Sequence, residues 1–173
     1  MNRSILAIAL AIATSTFPVP LLAQSAPQDK VDIAPLMAPV LAWANAFSTQ
    51  QLAFPANAFT DDCVVIDNFP PFVWASPNSG IRQWYATVEG ADSPADRETV
   101  LKSKETVELS APQNVVVRDG KAYMTFSATW RGLSRSGKRF MQRAVFTVIE
   151  RQTDAGWRIE AHSWGQLTAM LPE

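Results

Sequence analysis

DDCVVIDNFPPFVWASPNSGIRQWY, residues Asp61 to Tyr85, is the stretch around which the chain is organised. Cys63 to Ile66 reads as a short buried strand that ends on an acid, Asp67. An aromatic, proline-rich loop follows over Asn68 to Ser76, then the turn Pro77-Asn78-Ser79-Gly80 and an amphipathic helix from Ile81. A carboxylate placed where a buried strand opens into a Phe/Trp-rich loop suits the floor of an apolar pocket. Its charged form loses hydration there and its pKa rises, which is how a general base is tuned. A second reading has the same footing. Asp-Asn ahead of Phe-Pro-Pro is good turn chemistry, with the carboxylate capping backbone N–H groups. Residue chemistry alone leaves both open.

Upstream, Leu36, Val40, Trp43, Ala44 and Phe47 recur at a spacing of three to four, the period of a helix beginning near Ile33. Pro35 fits the first turn, while Pro39 removes a donor and places the start of the regular helix nearer to itself. Gln50 to Phe59 reads as a second, short helix reset at Pro55, and the third helix spans about Asn78 to Val88. Gly90 to Glu98 is a polar linker. Downstream the pattern is β, with strands over Glu105 to Leu109, Asn114 to Arg118, Lys121 to Arg131, Arg139 to Arg151 and Trp157 to Gly165. Asp119-Gly120 between two of them is a strong two-residue hairpin signal. Helices first and an antiparallel meander after make an α+β layout. Ala122, Met124, Phe126, Ala128 and Trp130 alternate with polar residues and should face the helices. Phe126 and Ala128 read as core, and Met124 and Trp130 equally as pocket wall.

The order strand, Asp, proline loop, Gly-Ile-Arg-x-Trp-Tyr helix resembles the nuclear transport factor 2-like superfamily, in particular its ketosteroid-isomerase and SnoaL-like branches. The resemblance runs from Ile33 to about Leu167. It implies a cone-shaped fold with three N-terminal helices packed on a curved, mostly antiparallel sheet, and an apolar small-molecule pocket inside. It sets Asp67 on the general-base aspartate of the isomerase branch, a group that moves a proton at carbon next to a carbonyl. It also implies that no cofactor is needed and that the domain forms a homodimer. Two departures count against steroid isomerisation. That branch builds its oxyanion hole from a first-helix tyrosine and a protonated acid on the next-to-last strand, an arrangement that is a standard example of pKa tuning. Here Trp43 stands about where the tyrosine is expected, and Arg139 to Ile149 contains no Asp or Glu.

His162 is the second catalytic candidate, since imidazole carries protons near neutral pH. Dehydratase and dehydrochlorinase relatives of the resemblance pair an Asp with a His inside the cone. The phase of the last strand is ambiguous. Trp157, Ile159, Ala161 and Ser163 form the more apolar face and would turn His162 outward, whereas matching His162-Ser163-Trp164 to the terminal element of the isomerase branch turns His162 and Trp164 inward. Arg143 is a cation in an otherwise apolar strand. It reads first as an edge or interface salt bridge to a glutamate such as Glu160, and second as an anchor for a ligand carboxylate. Trp43, Phe47, Trp164 and the loop residues Phe72 and Trp74 complete the candidate ligand-binding set; Phe72 and Trp74 suit a cavity cap or a dimer contact.

Composition narrows the remaining classes. Met1-Asn2-Arg3, the apolar run Ile5 to Ala13 and Leu21-Leu22-Ala23 form a secretory signal peptide over residues 1–23, cut near Ala23. Pro18 and Pro20 interrupt it short of the ~20 apolar residues of a membrane span, so the mature protein has no stable membrane anchor and is expected to be secreted or periplasmic. Residues 24–32 form a disordered leader and 33–173 a single domain. Net charge is −1 with no basic run, which disfavours nucleic acid as a partner. One cysteine and one histidine make a metal site improbable, and Cys63 reads as a buried structural thiol. The functional expectation is an exported small-molecule-binding domain. Either Asp67 acts in it as the base of a cofactor-free isomerase or lyase on a small apolar carbonyl compound, or the domain is a non-catalytic ligand-binding or dimerisation module.

Overall fold

The computed structural model describes residues 31–48, 54–75, 80–89, 105–133, 137–167 and 171–172. The expected signal peptide, the expected leader up to Lys30 and the expected linker from Gly90 to Glu98 lie outside the described residues. Helix α1 covers Ala34–Ser48, a 3-10 turn Ala56–Ala58, β1 Phe59–Ile66, β2 Val73–Trp74 and α2 Gly80–Glu89. Then follow β3 Thr106–Leu109, β4 Gln113–Arg118, β5 Lys121–Leu133, β6 Arg139–Thr153, β7 Gly156–Gln166 and β8 Leu171–Pro172. The eight strands form one sheet in the order β2-β1-β7-β6-β5-β3, with β4 beside β5 and β8 beside β6. All pairs are antiparallel except β1 with β7, which run parallel.

The described residues contain two α-helices, not the three expected. The difference falls at Gln50 to Phe59, where residues 49–53 are outside the description and Ala56–Ala58 make a single 3-10 turn. Phe59 is already a strand residue, paired with Ile159, and its β-branched successors Thr60, Val64 and Val65 keep the chain extended. Helix α1 starts at Ala34, ahead of Pro39. Asp32 Oδ1 accepts from the Ala34 N–H at 3.1 Å, which caps the first turn, and the helix runs on through Pro39 although that ring removes one intrahelical donor. The hairpin at Asp119-Gly120 is as expected: φ is 50° at Asp119 and 71° at Gly120, the pair of positive values that a type I′ turn requires.

Helices and sheet meet through one apolar layer. Leu36, Val40, Trp43, Ala44 and Phe47 of α1 and Ile81, Trp84 and Tyr85 of α2 are buried, following the helical spacing of their sequences. The sheet answers with Ala122, Met124, Phe126 and Ala128 from β5 and Ala144, Phe146 and Val148 from β6, all buried. Gly80 lets α2 start hard against β2, since a Cβ there would lie 2.2 Å from the Trp74 carbonyl oxygen. Side chains on the outer face of the sheet alternate with these, among them Tyr123, Val145 and Ile149, each more than a third exposed.

Candidate functional site

Strand β1 delivers Asp67 to the inner side of the sheet. The parallel register sets Val65 beside His162 and Ile66 beside Ser163, so the next residue, Asp67, comes level with Trp164. The loop is pinned at once: the Asp67 N–H donates to the Phe72 carbonyl at 3.0 Å, and the Phe72 N–H to Phe69 at 2.8 Å. Asp67 Oδ1 accepts from the Asn68 N–H at 2.6 Å, and Oδ2 accepts from Trp84 Nε1 at 2.7 Å. The side chain makes the capping contact that the turn reading expects. One oxygen caps the loop and the other is held by an indole from α2. Asp67 is only 9% exposed. Burial pushes its pKa above the ordinary carboxylate value, against the lowering effect of the Asn68 and Trp84 donors. An open groove of about 600 Å³ lies beside it, lined by Ile66, Asp67, Asn68, Ser163, Trp164, Gly165, Gln166 and Leu167.

His162 points inward, and the register shows why its phase resisted reading. Ile149 pairs with Ala161 and Glu150 with Ile159, so Glu160 is an extra residue in β7. This bulge shifts the alternation by one step. Ile159, His162 and Trp164 are all buried on the inner face, so each of the two phases holds for one half of the strand. His162 is surrounded by aromatic rings: Trp84 edge-on at 5.4 Å, Phe146 at 5.5 Å, Trp43 at 5.8 Å and Phe59 at 6.1 Å. Neither ring nitrogen has a hydrogen-bond partner among the described residues. Burial drops its pKa to about 3, so the imidazole is neutral.

The remaining candidates divide between the two faces. Trp43 stacks flat on Phe146 at 4.2 Å and meets the edge of Phe47 at 5.3 Å. Trp164 is buried and donates from Nε1 to Gln142 Oε1 at 2.7 Å, and Trp130 sits edge-on to it at 6.1 Å while donating to Glu105. Met124 is fully buried opposite Val148, whose other neighbour is His162. Trp74, expected in the loop, is a buried strand residue packed on Phe69 at 5.6 Å. Two residues stay outside this set. Phe72 is 54% exposed, and Arg143 alternates outward between buried Gln142 and Ala144, away from the inner face. Glu160, the glutamate suggested for Arg143, pairs with Lys121 and Arg151 instead.

Three further side chains near the candidates carry no expectation from the sequence. Trp84 holds Asp67. Gln142 and Glu150 lie on the inner face of β6, Glu150 one residue beyond the run Arg139 to Ile149 that contains no acid. Glu150 is fully buried, neither carboxyl oxygen has a partner among the described residues, and burial pushes its pKa up to about 8. Following the two-residue alternation Phe140, Gln142, Ala144, Phe146, Val148 one step further would have found it. Among the described residues no group of three or more His, Cys, Asp or Glu is placed to hold a metal ion. Cys63 is buried, and its thiol pKa is raised to about 12 by burial, as a structural cysteine requires.

No protein-family model and no curated protein sequence matches the chain. Solved structures do. The hexachlorocyclohexane dehydrochlorinase LinA-type3 from Novosphingobium barchaimii LL02 is similar with a TM-score of 0.63 at 10% identity, over 81% of this chain and 88% of that one. A nuclear transport factor 2-like superfamily protein from Salmonella enterica serovar Typhimurium LT2 is similar at 0.59 and 15% identity, over 78% and 89%. A protein assigned as a calcium/calmodulin-dependent protein kinase II association domain, from Xanthomonas campestris, is similar at 0.60 and 19% identity, over 83% and 93%. At these identities the likeness is one of fold.

Proposed function

We propose that this chain, which has the nuclear transport factor 2-like fold, is an exported domain that binds a small apolar carbonyl compound and moves a proton on it with Asp67. The observation that carries the reading is the state of the Asp67 carboxyl. It is buried, raised in pKa, oriented by the Trp84 indole and placed beside an open groove. A desolvated carboxylate of this kind is a stronger base than one in water. It would take a proton from the carbon next to the carbonyl, leaving the electron pair on the carbonyl oxygen as an enolate. Where the substrate carries a β,γ double bond, returning the proton to the far carbon of the dienolate completes an isomerisation; where it carries a β-substituent, departure of that group with its bonding electron pair completes an elimination. His162, buried and neutral on the neighbouring strand β7, is the second candidate residue of this reading.

The test has two parts. A carboxyl-carbon NMR titration, with Asp67→Asn as the assignment control, should give Asp67 a pKa above the ~3.9 of a free Asp. In D₂O, a panel of small ketones and lactones should exchange hydrogen at the carbon next to the carbonyl faster with the protein, and Asp67→Asn should slow that exchange by roughly 10²–10⁴-fold. A depressed pKa, or exchange indifferent to the substitution, would refute the reading.

A second reading rests on a different surface. Tyr123 lies opposite Ile149 on the outer sheet face, and both are well exposed, as is Val145 further along β6. Exposed apolar side chains on neighbouring strands favour pairing with a second copy, so the domain also serves as a homodimerisation module under this proposal. Ile149→Lys should then yield a monomer in sedimentation equilibrium, and a wild type that is already monomeric at micromolar concentration would exclude it.

A further inference from the structure

From Ile33 to Thr60 no side chain carries a charge, although charged residues make up 18% of the chain. Helix α1 lies wholly inside this run. A helix on a protein surface ordinarily turns charged side chains to water opposite its buried stripe. The buried stripe of α1 is Leu36, Val40, Trp43, Ala44 and Phe47. Its opposite face shows Ala34, Pro35, Ala38, Leu41, Ala42 and Asn45 to solvent, with Leu41 47% exposed. α1 is thus apolar on both sides, and only one side is covered by the sheet.

A groove of about 690 Å³ runs beside the uncovered side. Pro35, Ala38 and Ala42 of α1 form one wall, the segment from Phe54 to Ala58 a second, and the β6–β7 hairpin with Trp157 a third. None of its lining residues is charged, and it shares none with the groove beside Asp67. Charge begins at the rim, and there it is unevenly placed. Asp32 precedes the helical wall and Asp154 the hairpin wall, both exposed. Asp32 caps α1 with one oxygen and Asp154 sits in the hairpin turn, but neither is in an ion pair among the described residues. The nearby cations are turned elsewhere. The Arg82 guanidinium is seated over the Phe54 ring at 4.6 Å, and Arg158 alternates away from Trp157 to the other sheet face, level with Arg151.

An apolar hollow with two carboxylates at its rim selects its occupant by charge as well as by polarity. A lipid surface matches poorly, because helices that lie in a membrane interface present Lys and Arg to the headgroups and α1 has neither. A second copy of this chain would offer the two acids only its own charge-free helix face. We propose that this groove is a docking site for a segment of another protein, apolar along one face and carrying Lys or Arg at one end. The apolar side chains lie between α1 and Trp157, as a helix does in a groove, and the basic end meets Asp32 and Asp154. This surface is independent of the Asp67 reading.

The probes are three end-blocked peptides: Lys-Lys-Ala-Leu-Leu-Ala-Leu-Leu-Ala, the same apolar run behind Glu-Glu, and Lys-Lys ahead of Ala-Ser-Ser-Ala-Ser-Ser-Ala. Each is titrated into ¹⁵N-labelled protein while the Trp157 indole N–H and the Ala38 and Ala42 amides are followed. The basic apolar peptide should move all three resonances and bind roughly fivefold more tightly than the acidic one, the effect of two exposed charge pairs. The serine peptide should not bind. Asp32→Asn with Asp154→Asn should bring the two apolar peptides level, since Asn caps a helix as well as Asp does, and high salt should do the same. Ala38→Glu, at an exposed helical position, should abolish binding and leave the Asp67 titration unchanged. If that variant does not fold, the wild-type preference between the two apolar peptides decides by itself. Equal binding of those peptides to the wild type overturns the proposal, as does binding that leaves the Trp157 indole unmoved, or no binding at all. The same three resonances shifting with protein concentration alone would seat a second copy there. Shifting with phosphatidylcholine–phosphatidylglycerol vesicles alone would make the face a lipid contact. Either of these results also overturns it, and neither bears on Asp67.

Discussion

Glu150 gives the sharpest quantitative test of the fold as described. Its carboxyl is fully buried without a partner among the described residues, and burial raises its pKa from 4.5 to about 8. Below pH 4.5 the group is protonated whether the chain is folded or not, and its titration has no effect on stability. Between 4.5 and about 8 the unfolded chain has released the proton while the folded chain keeps it. Folding then takes up a proton, so stability falls as pH rises, by up to ~1.4 kcal/mol per pH unit. Above the folded pKa the deficit levels off at about 4–5 kcal/mol. For a domain of this size that corresponds to a Tm difference of roughly 10–15 °C. Glu150→Gln, close in shape to the protonated acid, removes the titration and leaves every other titrating group in place. Thermal or urea unfolding of both proteins between pH 4.5 and 8.5 reads the difference directly. The variant should match the wild type in acid and exceed it increasingly toward pH 8.5. A difference that does not change with pH would refute the reasoning, because it would mean that the carboxylate finds a partner or water.

The other expectations can be stated briefly. His162, lowered from 6.5 to about 3 by burial, stays neutral in the folded chain while the unfolded chain protonates. Its contribution is complete above pH 6.5 and is lost as pH falls toward 3. His162→Gln should flatten the acid limb of a urea-midpoint profile, and an unchanged slope would exclude the burial described here. In the wild type the two opposing slopes overlap between pH 4.5 and 6.5 and should leave a plateau. Gly80→Ala forces a Cβ against the Trp74 carbonyl and should cost about 1–3 kcal/mol with a shift of the Asp67 titration, since α2 carries Trp84. Gly120→Ala meets nothing within 4 Å and should cost only its left-handed backbone, roughly 1–2 kcal/mol, without touching Asp67. Equal effects on Asp67 from the two glycines would break the link between α2 and the site.

What could be read in the chain before the structure was what short-range chemistry determines. Asp119-Gly120 specifies its own turn, and the alternation along β5 specifies which side chains go inward. The end of β1 specifies where Asp67 emerges. The unreadable parts depend on partners far away in sequence. The phase of His162 hinges on Glu160 being an extra residue against β6, which no local pattern in β7 reveals. The helical spacing of Trp84 is that of a core residue, and only folding brings its N–H to a carboxylate seventeen residues earlier. The expected second helix failed where Phe59 and Thr60 found β7 to pair with. Glu150 lies inside the expected strand Arg139 to Arg151 and follows its two-residue alternation, so its inward position was legible locally.

The parallel pairing of β1 with β7 also determines when the site comes into being. Strands β5 and β6 are neighbours joined by a short connection and can pair as soon as both exist. The strand that carries Asp67 waits for a partner about a hundred residues downstream: the Thr60 hydroxyl reaches the Ile159 carbonyl across a sequence separation of 99. Contacts of that range make folding slow. Until β7 has been synthesised, Cys63 to Ile66 has only the two residues of β2 to pair with, and its apolar edge is open to other chains. Asp67 therefore becomes buried, and acquires its perturbed pKa, late in the chain's maturation, and a translation product ending before Gly156 would carry the acid without the environment that makes it a base.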